Sequence, residues 1–218
     1  VDKVNMFGWC MGGNLSLIYT ALHNEKINSL FTLTTPGDTD SGGILTQWCN
    51  SEIMDVDRVC NVYGNIPGKL IRYGVIDIYP DRQFNLINLF YENMSNPQFM
   101  VLYALIEKWA NENIDIPGQV FSKLVSKVYQ DNNLFKKKLK INGKTVDLKN
   151  ITCPYFNAAA ELDHLVPHES TQAINKYVGS KENIFEIIPG GHVGLAFEPM
   201  AQQKGWMTLL NWFKKNSN

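Results

Sequence analysis

The feature that most constrains the fold is an apolar run that meets closely spaced glycines near the start of the chain. Val4-Asn5-Met6-Phe7 predicts a buried strand, and Gly8-Trp9-Cys10-Met11-Gly12-Gly13 follows it directly. A helical pattern begins at once with Asn14-Leu15-Ser16-Leu17. A strand that turns this sharply into a helix, with a nucleophilic side chain at the turn, is a nucleophile elbow. We expect glycine at the flanking positions because a Cβ there would collide with the strand or the helix.

The elbow makes Cys10 a candidate nucleophile, with cysteine where serine is usual. Its sulfur should stand above the sheet near the positive end of the following helix, which favours a thiolate. The backbone N–H of Met11 should contribute to an oxyanion hole. The alternative is that Cys10 is a small buried hydrophobic residue, which is the usual role of a free cysteine.

Composition indicates a globular protein and excludes several classes of function. The 218 residues are 44% hydrophobic with a net charge of −1, which allows a large core and gives no reason to expect nucleic acid. The four cysteines have no Cys-x-x-Cys spacing, so we expect thiols in a reducing compartment and no metal site. No apolar run approaches the ~20 residues of a transmembrane helix. The chain opens on Val1 instead of Met, so we expect a fragment, and an upstream signal peptide stays open.

The two ends of the chain alternate between strands and helices. Strands are predicted at 1–8, 27–35, 151–160 and 184–188, and helices at 13–23, 167–178 and 201–215. Strand, helix and strand within about 35 residues indicate a right-handed parallel crossover. The predicted fold class is therefore α/β, with a mostly parallel sheet flanked by helices.

Residues 38–150 interrupt this alternation with irregular, aromatic-rich helices. Asn96-Pro97 predicts a helix start, residues 120–129 form a second apolar helical face, and Asn142-Gly143 predicts a type I′ hairpin turn. We expect an insertion that caps the strand ends, giving core 1–37, cap 38–150 and core 151–218. The lysines around the hairpin are expected to form a solvated face, and a role in meeting an anionic substrate stays open.

Three predicted strand ends carry Cys10, Asp163 and His192, in the order nucleophile, acid, histidine. Each has a plainer alternative: Asp163 as a helix cap or loop carboxylate, and His192 as a loop histidine. His164 and His168 also compete for the role of base. The paired glycines before His192 favour it, because they let its loop approach the end of the sheet closely.

These motifs resemble those of the polyhydroxyalkanoate synthases, and most of all the catalytic subunit of the class III, two-subunit type. The matching stretches are Gly8-Trp9-Cys10-Met11-Gly12-Gly13, Glu161-Leu162-Asp163-His164-Leu165-Val166-Pro167, Pro189-Gly190-Gly191-His192, Asn65-Ile66-Pro67-Gly68 and Val146-Asp147-Leu148-Lys149-Asn150-Ile151-Thr152. The resemblance covers essentially the whole chain. It departs at the beginning, where the family has further sheet strands and a loop expected to help hold the oxyanion. We therefore name no second oxyanion donor, and we expect this chain alone to be unstable or inactive.

The resemblance implies an α/β-hydrolase fold with a helical cap and a catalytic triad of Cys10, Asp163 and His192. His192 would deprotonate Cys10, and the thiolate would take the acyl group of an (R)-3-hydroxyacyl-CoA, with 3-hydroxybutyryl-CoA expected, and release CoA. The hydroxyl of the next monomer would then attack the acyl-enzyme and extend a polyester. Asp163 would either orient His192 or activate that hydroxyl. No cofactor is implied, since the CoA thioester is substrate and CoA is product.

The resemblance also implies partners and a location. It implies a second synthase subunit (PhaE type), a homodimer of the catalytic subunit, and association with polyester granules in the cytoplasm. Two rival interpretations share the residues: a cysteine-dependent thioesterase, esterase or polyester depolymerase, and a non-catalytic member that binds polymer or a partner. Product analysis separates the first rival from a synthase, and thiol labelling of Cys10 separates the second.

Overall fold

The computed structural model describes residues 2–78 and 80–217, with the side chains of residues 75–83 outside that description. The strands are β1 (Val4–Trp9), β2 (Ile27–Leu33), β3 (Lys140–Ile141), β4 (Lys144–Thr145), β5 (Tyr155–Ala160) and β6 (Asn183–Ile188). The α-helices are α1 (Met11–Leu22), α2 (Ile44–Trp48), α3 (Val56–Tyr63), α4 (Gly68–Ile78), α5 (Pro80–Asn93), α6 (Pro97–Asn111), α7 (Gly118–Lys123), α8 (His168–Ala173), α9 (Pro199–Ala201) and α10 (Met207–Asn216). The described elements also include two π-helical segments, Leu124–Gln130 and Gln202–Trp206, and several short 3₁₀ turns.

The main sheet has the strand order β1-β2-β5-β6, and every neighbouring pair is parallel. In register, Leu33 of β2 pairs with Trp9 on one side and with Ala158 on the other. Helix α1 connects β1 to β2, and α8 lies between β5 and β6. Because the strands are parallel, their carboxyl ends lie at one edge of the sheet, where ligands bind in such folds. The predicted parallel α/β sheet is confirmed.

Both faces of this sheet are covered by apolar side chains. On one face the Phe31 and Phe156 rings stack at 4.8 Å between centroids, and Trp212 of α10 meets Phe156 edge-on at 5.3 Å. Leu17, which helix α1 contributes to the core, is fully buried. The central strands β2 and β5 are buried along nearly their whole length, as is usual for strands inside a parallel sheet that is covered on both faces. This packing holds in place the strands whose carboxyl ends carry the candidate residues.

Several predicted boundaries differ from the structure. The strand predicted at 27–35 ends at Leu33, because Thr34 has a φ of 44° that a strand does not allow. The strand predicted at 151–160 begins only at Tyr155, after a 3₁₀ turn at Leu148–Asn150. The helix predicted at 201–215 is divided by the π-helical segment Gln202–Trp206. The type I′ turn is confirmed, since Asn142 and Gly143 both have positive φ (49° and 78°).

The chain forms two compact units. One contains the residues before Asp55 and after Val125, with the main sheet, and the other is the helical stretch Asp55–Val125. In the helical unit, α6 begins as predicted, with the Asn96 side chain accepting the N–H groups of Gln98 and Phe99 at 3.0 and 3.3 Å. The insertion predicted at 38–150 is wider than this unit, because residues 38–54 and 126–150 belong to the unit of the sheet.

None of the helices in the described part of the chain has both the length and the apolar character that crossing a bilayer requires.

Candidate active site

Cys10 occupies the sharp turn between β1 and α1. Its φ of 51° and ψ of −124° lie outside the regions that non-glycine residues normally adopt. Two backbone hydrogen bonds hold this conformation: Cys10 N–H donates to Leu33 O at 2.9 Å, and Gly13 N–H donates to Cys10 O at 2.9 Å. A strained residue held by its surroundings is the geometry of a nucleophile elbow.

The glycines around the turn are required to different degrees. A Cβ at Gly8 would lie 2.6 Å from Gly13 Cα, and a Cβ at Gly13 would lie 1.8 Å from Thr35 Oγ1. A Cβ at Gly12 would meet nothing within 4 Å. The expected collision therefore occurs at Gly8 and Gly13. The expectation is wrong for Gly12, where an added Cβ would point into open space.

Met11 is the first residue of α1, so its N–H has no acceptor within the helix. The positive end of the twelve-residue helix lies at the same place. This arrangement can stabilise an anion that develops beside the Cys10 sulfur. The sequence predicts this oxyanion-hole role for the Met11 N–H.

The loops after β5 and β6 are joined by backbone hydrogen bonds that continue the sheet. Glu161 N–H donates to Ile188 O and Leu162 N–H to Gly190 O, each at 2.9 Å. Gly190 has a φ of 129°, a conformation that favours glycine. These bonds place the residues that follow, Asp163 and His192, beside each other.

Asp163 and His192 form a buried pair. His192 Nδ1 donates to Asp163 Oδ2 at 2.7 Å, and the side chains are 13% and 1% exposed for His192 and Asp163 respectively. The other carboxylate oxygen of Asp163 accepts the N–H groups of Leu165 and Val166 at 2.9 and 2.8 Å. Both oxygens are thus engaged, and the carboxylate fixes the orientation of the imidazole.

The second side of the His192 ring faces Cys10. Burial lowers the pKa of the imidazole, but hydrogen bonds to Asp163 and Cys10 and the negative charges of both groups outweigh burial and raise the pKa to about 10. An imidazole so placed retains its proton when the neighbouring sulfur is a thiolate. The structure therefore brings together all three residues of the predicted triad.

The competing histidine His168 has a different partner. His168 lies at the start of α8 with its Nε2 3.1 Å from Glu169 Oε1, and it is His192 that contacts the carboxylate of Asp163. All four cysteines are free. Burial raises the pKa of Cys49 and of Cys153 to about 11, which leaves little thiolate on either near neutral pH. In residues 2–78 and 80–217, no group of three or more His, Cys, Asp or Glu side chains is arranged to hold a metal ion.

Sequence reasoning missed the groups that support the three residues. The N–H groups of Leu165 and Val166 form an Asx-type turn with Asp163, which an aspartate shortly before a predicted helix entry could have indicated. Asn14 and Tyr129, which share a buried hydrogen bond of 3.0 Å, are 115 positions apart, and no local pattern links them.

Comparisons with known proteins show what the chain is similar to in sequence and in fold. A sequence profile described as alpha/beta hydrolase fold matches residues 1–54. Over 218 residues the chain is 33% identical to the "Poly(3-hydroxyalkanoate) polymerase subunit PhaC" of Haloarcula marismortui, covering 99% of this chain and 46% of that protein. It is also 33% identical to the subunit of the same name from Thiocystis violacea over 222 residues, covering 100% of this chain and 61% of that protein.

Solved structures show the same fold at low identity. The monoacylglycerol lipase of Paleococcus ferrophilus has a TM-score of 0.55 at 12% identity, covering 99% of this chain and 70% of the lipase. A thermophilic esterase from Thermogutta terrifontis has a TM-score of 0.55 at 16% identity, covering 100% of this chain and 66% of the esterase. The chain therefore has the α/β-hydrolase fold. It is a homologue of the polymerase subunits and spans roughly half of their length (46% and 61% for the two above).

Proposed function

We propose that this chain carries the catalytic triad of a poly(3-hydroxyalkanoate) polymerase, with Cys10 as nucleophile, His192 as base and Asp163 as the residue that orients His192. One observation carries the proposal: a thiol, instead of a hydroxyl, occupies a nucleophile elbow beside a buried His–Asp pair. The 33% identity to polymerase subunits over the whole chain supports the polymerase reaction in particular.

Acylation would begin with the transfer of the Cys10 proton to His192. The thiolate attacks the thioester carbonyl of an (R)-3-hydroxyacyl-CoA, for which we propose 3-hydroxybutyryl-CoA, and the Met11 N–H donates to the developing oxyanion. The carbon–sulfur bond to CoA then breaks, and CoA leaves with the proton from His192. The acyl group remains on Cys10 as a thioester, so the bond formed resembles the bond broken.

Elongation uses the same histidine. The hydroxyl of the next hydroxyacyl group gives its proton to His192 and attacks the Cys10 thioester, which forms an ester bond and releases the Cys10 sulfur. We propose that Asp163 orients His192 and does not itself take this proton, because both of its oxygens are already engaged. The acceptor hydroxyl must then reach the side of the imidazole that faces Cys10.

We extend the proposal to the surroundings of the enzyme. From the resemblance to the two-subunit synthases, we propose that the intact protein works with a second synthase subunit of PhaE type, forms a dimer and associates with polyester granules in the cytoplasm; the word subunit in the relatives' names supports a partner. Residues 38–150, which include the helical unit Asp55–Val125, are proposed as the cap insertion. CoA thioester and polyester are substrate and product, and no further cofactor is proposed.

The decisive experiment is CoA release from (R)-3-hydroxybutyryl-CoA by the intact protein, co-expressed with its second subunit, followed by product analysis. CoA release with insoluble polyester supports the proposal. CoA release with free hydroxy acid would make the protein a hydrolase that uses the same triad. No CoA release from folded protein would favour a role in binding alone.

Two matched variants test the nucleophile. Cys10→Ala should abolish CoA release and the formation of an acyl-enzyme detectable by mass spectrometry. Cys49→Ala removes a buried thiol whose raised pKa makes it unreactive, so it should leave both measurements within about threefold of wild type. Acyl transfer that survives Cys10→Ala would show that another group is the nucleophile.

A further inference from the structure

A buried tyrosine is connected to the helix that begins at the candidate nucleophile. The Tyr129 hydroxyl donates to Asn14 Oδ1 at 3.0 Å, and Asn14 Nδ2 donates to Pro36 O at 2.7 Å. Asn14 is fully buried, and Tyr129 is only 6% exposed. A buried amide with both ends bonded is held in a single orientation, because breaking either bond leaves an unsatisfied polar group.

This connection joins three segments that surround Cys10. Asn14 lies one helical turn after Cys10 on α1, and Pro36 belongs to the loop after β2, three residues beyond Leu33, which accepts the Cys10 N–H. Tyr129 comes from the π-helical segment Leu124–Gln130. Segments of π-helix are uncommon and are frequent at functional sites.

The phenol is suited to positioning and unsuited to proton transfer. Burial raises the pKa of Tyr129 well above its usual value, and the nearby charges of Cys10 and Cys49 raise it further. The hydroxyl therefore stays protonated near neutral pH. The Tyr129 hydroxyl donates its hydrogen bond to Asn14. Its connection to Cys10 therefore runs through helix α1.

We propose that Tyr129 is a positioning residue that, through Asn14, holds the first turn of α1 so that the Cys10 sulfur and the Met11 N–H keep their places relative to His192. This inference rests on the proposed role of Cys10 as nucleophile. Displacing a reacting group by about 1 Å can lower a rate by about 10²-fold, even when the altered residue does not touch the substrate.

The test uses Tyr129→Phe in the intact protein, which removes the hydroxyl and retains the ring. Two rates are measured: alkylation of Cys10 by iodoacetamide, followed by peptide mass spectrometry, and CoA release from 3-hydroxybutyryl-CoA. We expect both the alkylation rate and kcat to fall at least tenfold, with KM changed by less than about threefold. Asn14→Leu removes the acceptor for Tyr129 and also the donor to Pro36 O, so it should lower both rates at least as much, and it replaces Tyr129→Phe if that variant does not fold.

Tyr155→Phe is the matched control. Tyr155 is also fully buried, and its hydroxyl is bonded to Thr32 Oγ1 at 2.7 Å, in a network without Cys10 or α1. It should lower the urea midpoint by a similar amount and leave the alkylation rate and kcat within about threefold. If the two tyrosine variants lose alkylation rate and kcat equally, or if Tyr129→Phe alters neither, the positioning role is wrong.

A double-mutant cycle separates action through Asn14 from simple packing. The double variant Tyr129→Phe/Asn14→Leu should be no slower than Asn14→Leu alone, since Asn14→Leu already removes the bond that Tyr129→Phe removes. If the loss of rate in the double variant equals the product of the losses in the two single variants, the inference is overturned. Alkylation needs no CoA substrate, so this readout does not depend on the polymerase reaction. A protein without polymerase activity that still shows the alkylation pattern would refute the proposed function and retain the positioning role.

Discussion

The most informative single perturbation is Asp163→Asn. The amide has the same shape as the carboxylate, and its oxygen can still accept the N–H groups of Leu165 and Val166. Its NH₂ group then faces His192 Nδ1, which must become an acceptor. The ring proton is forced to the nitrogen that faces Cys10, and the imidazole loses its capacity to take the thiol proton.

The structure sets the size of the effect. The rise of the His192 pKa from 6.5 to about 10 corresponds to roughly 5 kcal/mol in favour of the imidazolium, shared between Asp163 and Cys10. Asp163 is one of the two groups that raise this pKa, so its loss removes part of that stabilisation, and each ~1.4 kcal/mol removed is tenfold. The wrong tautomer increases the loss, up to the ~10⁴-fold seen for the equivalent change in a serine protease. We expect kcat for CoA release to fall by about 10²- to 10⁴-fold.

Iodoacetamide alkylation of Cys10 between pH 6 and 10.5 tests this reasoning without substrate. In the wild type the imidazolium favours the thiolate at neutral pH, so alkylation should already be fast near pH 7. In Asp163→Asn the alkylation profile should move to higher pH, with the largest difference from wild type near neutrality and almost none at the alkaline end. Profiles that coincide would refute the role of Asp163 in charging the pair.

Asp38→Asn is the control for this variant. Asp38 follows the neighbouring strand β2 and accepts hydrogen bonds from Asn132 Nδ2 (2.6 Å) and the Tyr177 hydroxyl (2.7 Å). It should lose stability and keep the wild-type alkylation profile. An equal shift in both variants would show that any lost carboxylate at this edge of the sheet has the same effect.

Three further predictions concern stability. Burial raises the pKa of the Asp38 carboxyl, but hydrogen bonds from Tyr177, Asn132 and the Asp40 N–H and the charge of Lys136 together lower it overall. The Asp38 carboxylate therefore stabilises the fold above about pH 3.8, and this stabilisation is lost as the pH falls further. Asp38→Asn should therefore lower the free energy of unfolding by about 1–3 kcal/mol at pH 7 and by less near pH 3, as urea titrations at the two pH values would show. Gly13→Ala should destabilise the protein by at least about 2 kcal/mol because its Cβ would overlap Thr35, whereas Gly12→Ala should be neutral or slightly stabilising; equal melting temperatures would contradict this. Asn96→Ala removes the cap of α6 and should cost about 1 kcal/mol, which a urea titration followed by circular dichroism measures; the control Ser95→Ala, one residue outside the cap, should change little.

Features that depend on neighbouring residues in the sequence could be predicted. The elbow at Cys10, the cap of α6 by Asn96 and the turn at Asn142-Gly143 each rest on a short local pattern with one structural solution. The approach of Asp163 to His192 could also be predicted, because parallel strands bring successive carboxyl ends to one edge.

The limits of the helical unit could not be predicted in this way. Residues 38–54 and 126–150 belong to the unit of the sheet, and the contacts that hold them there join distant positions, such as Asn132 with Asp38 and Tyr129 with Asn14 of α1. These polar side chains have no periodicity that marks them as part of the sheet unit. The apolar pattern at 120–129 likewise predicts a helix without distinguishing α-helix from the π-helix observed at Leu124–Gln130, because the stretch is too short to separate the two periods.

The electrostatics of the site explain why the elbow carries a thiol. A histidine whose pKa is raised to about 10 takes the proton of a thiol more readily than that of an aliphatic hydroxyl, which is a far weaker acid. Under the proposed function, the imidazolium that forms when His192 takes the thiol proton stays beside the thiolate as it attacks the thioester. The same imidazolium supplies the proton that the departing CoA sulfur needs, and it becomes the neutral base that the next hydroxyl requires. Under the proposed function, one histidine in one orientation therefore serves both half-reactions, and the buried carboxylate of Asp163 is what keeps that orientation fixed.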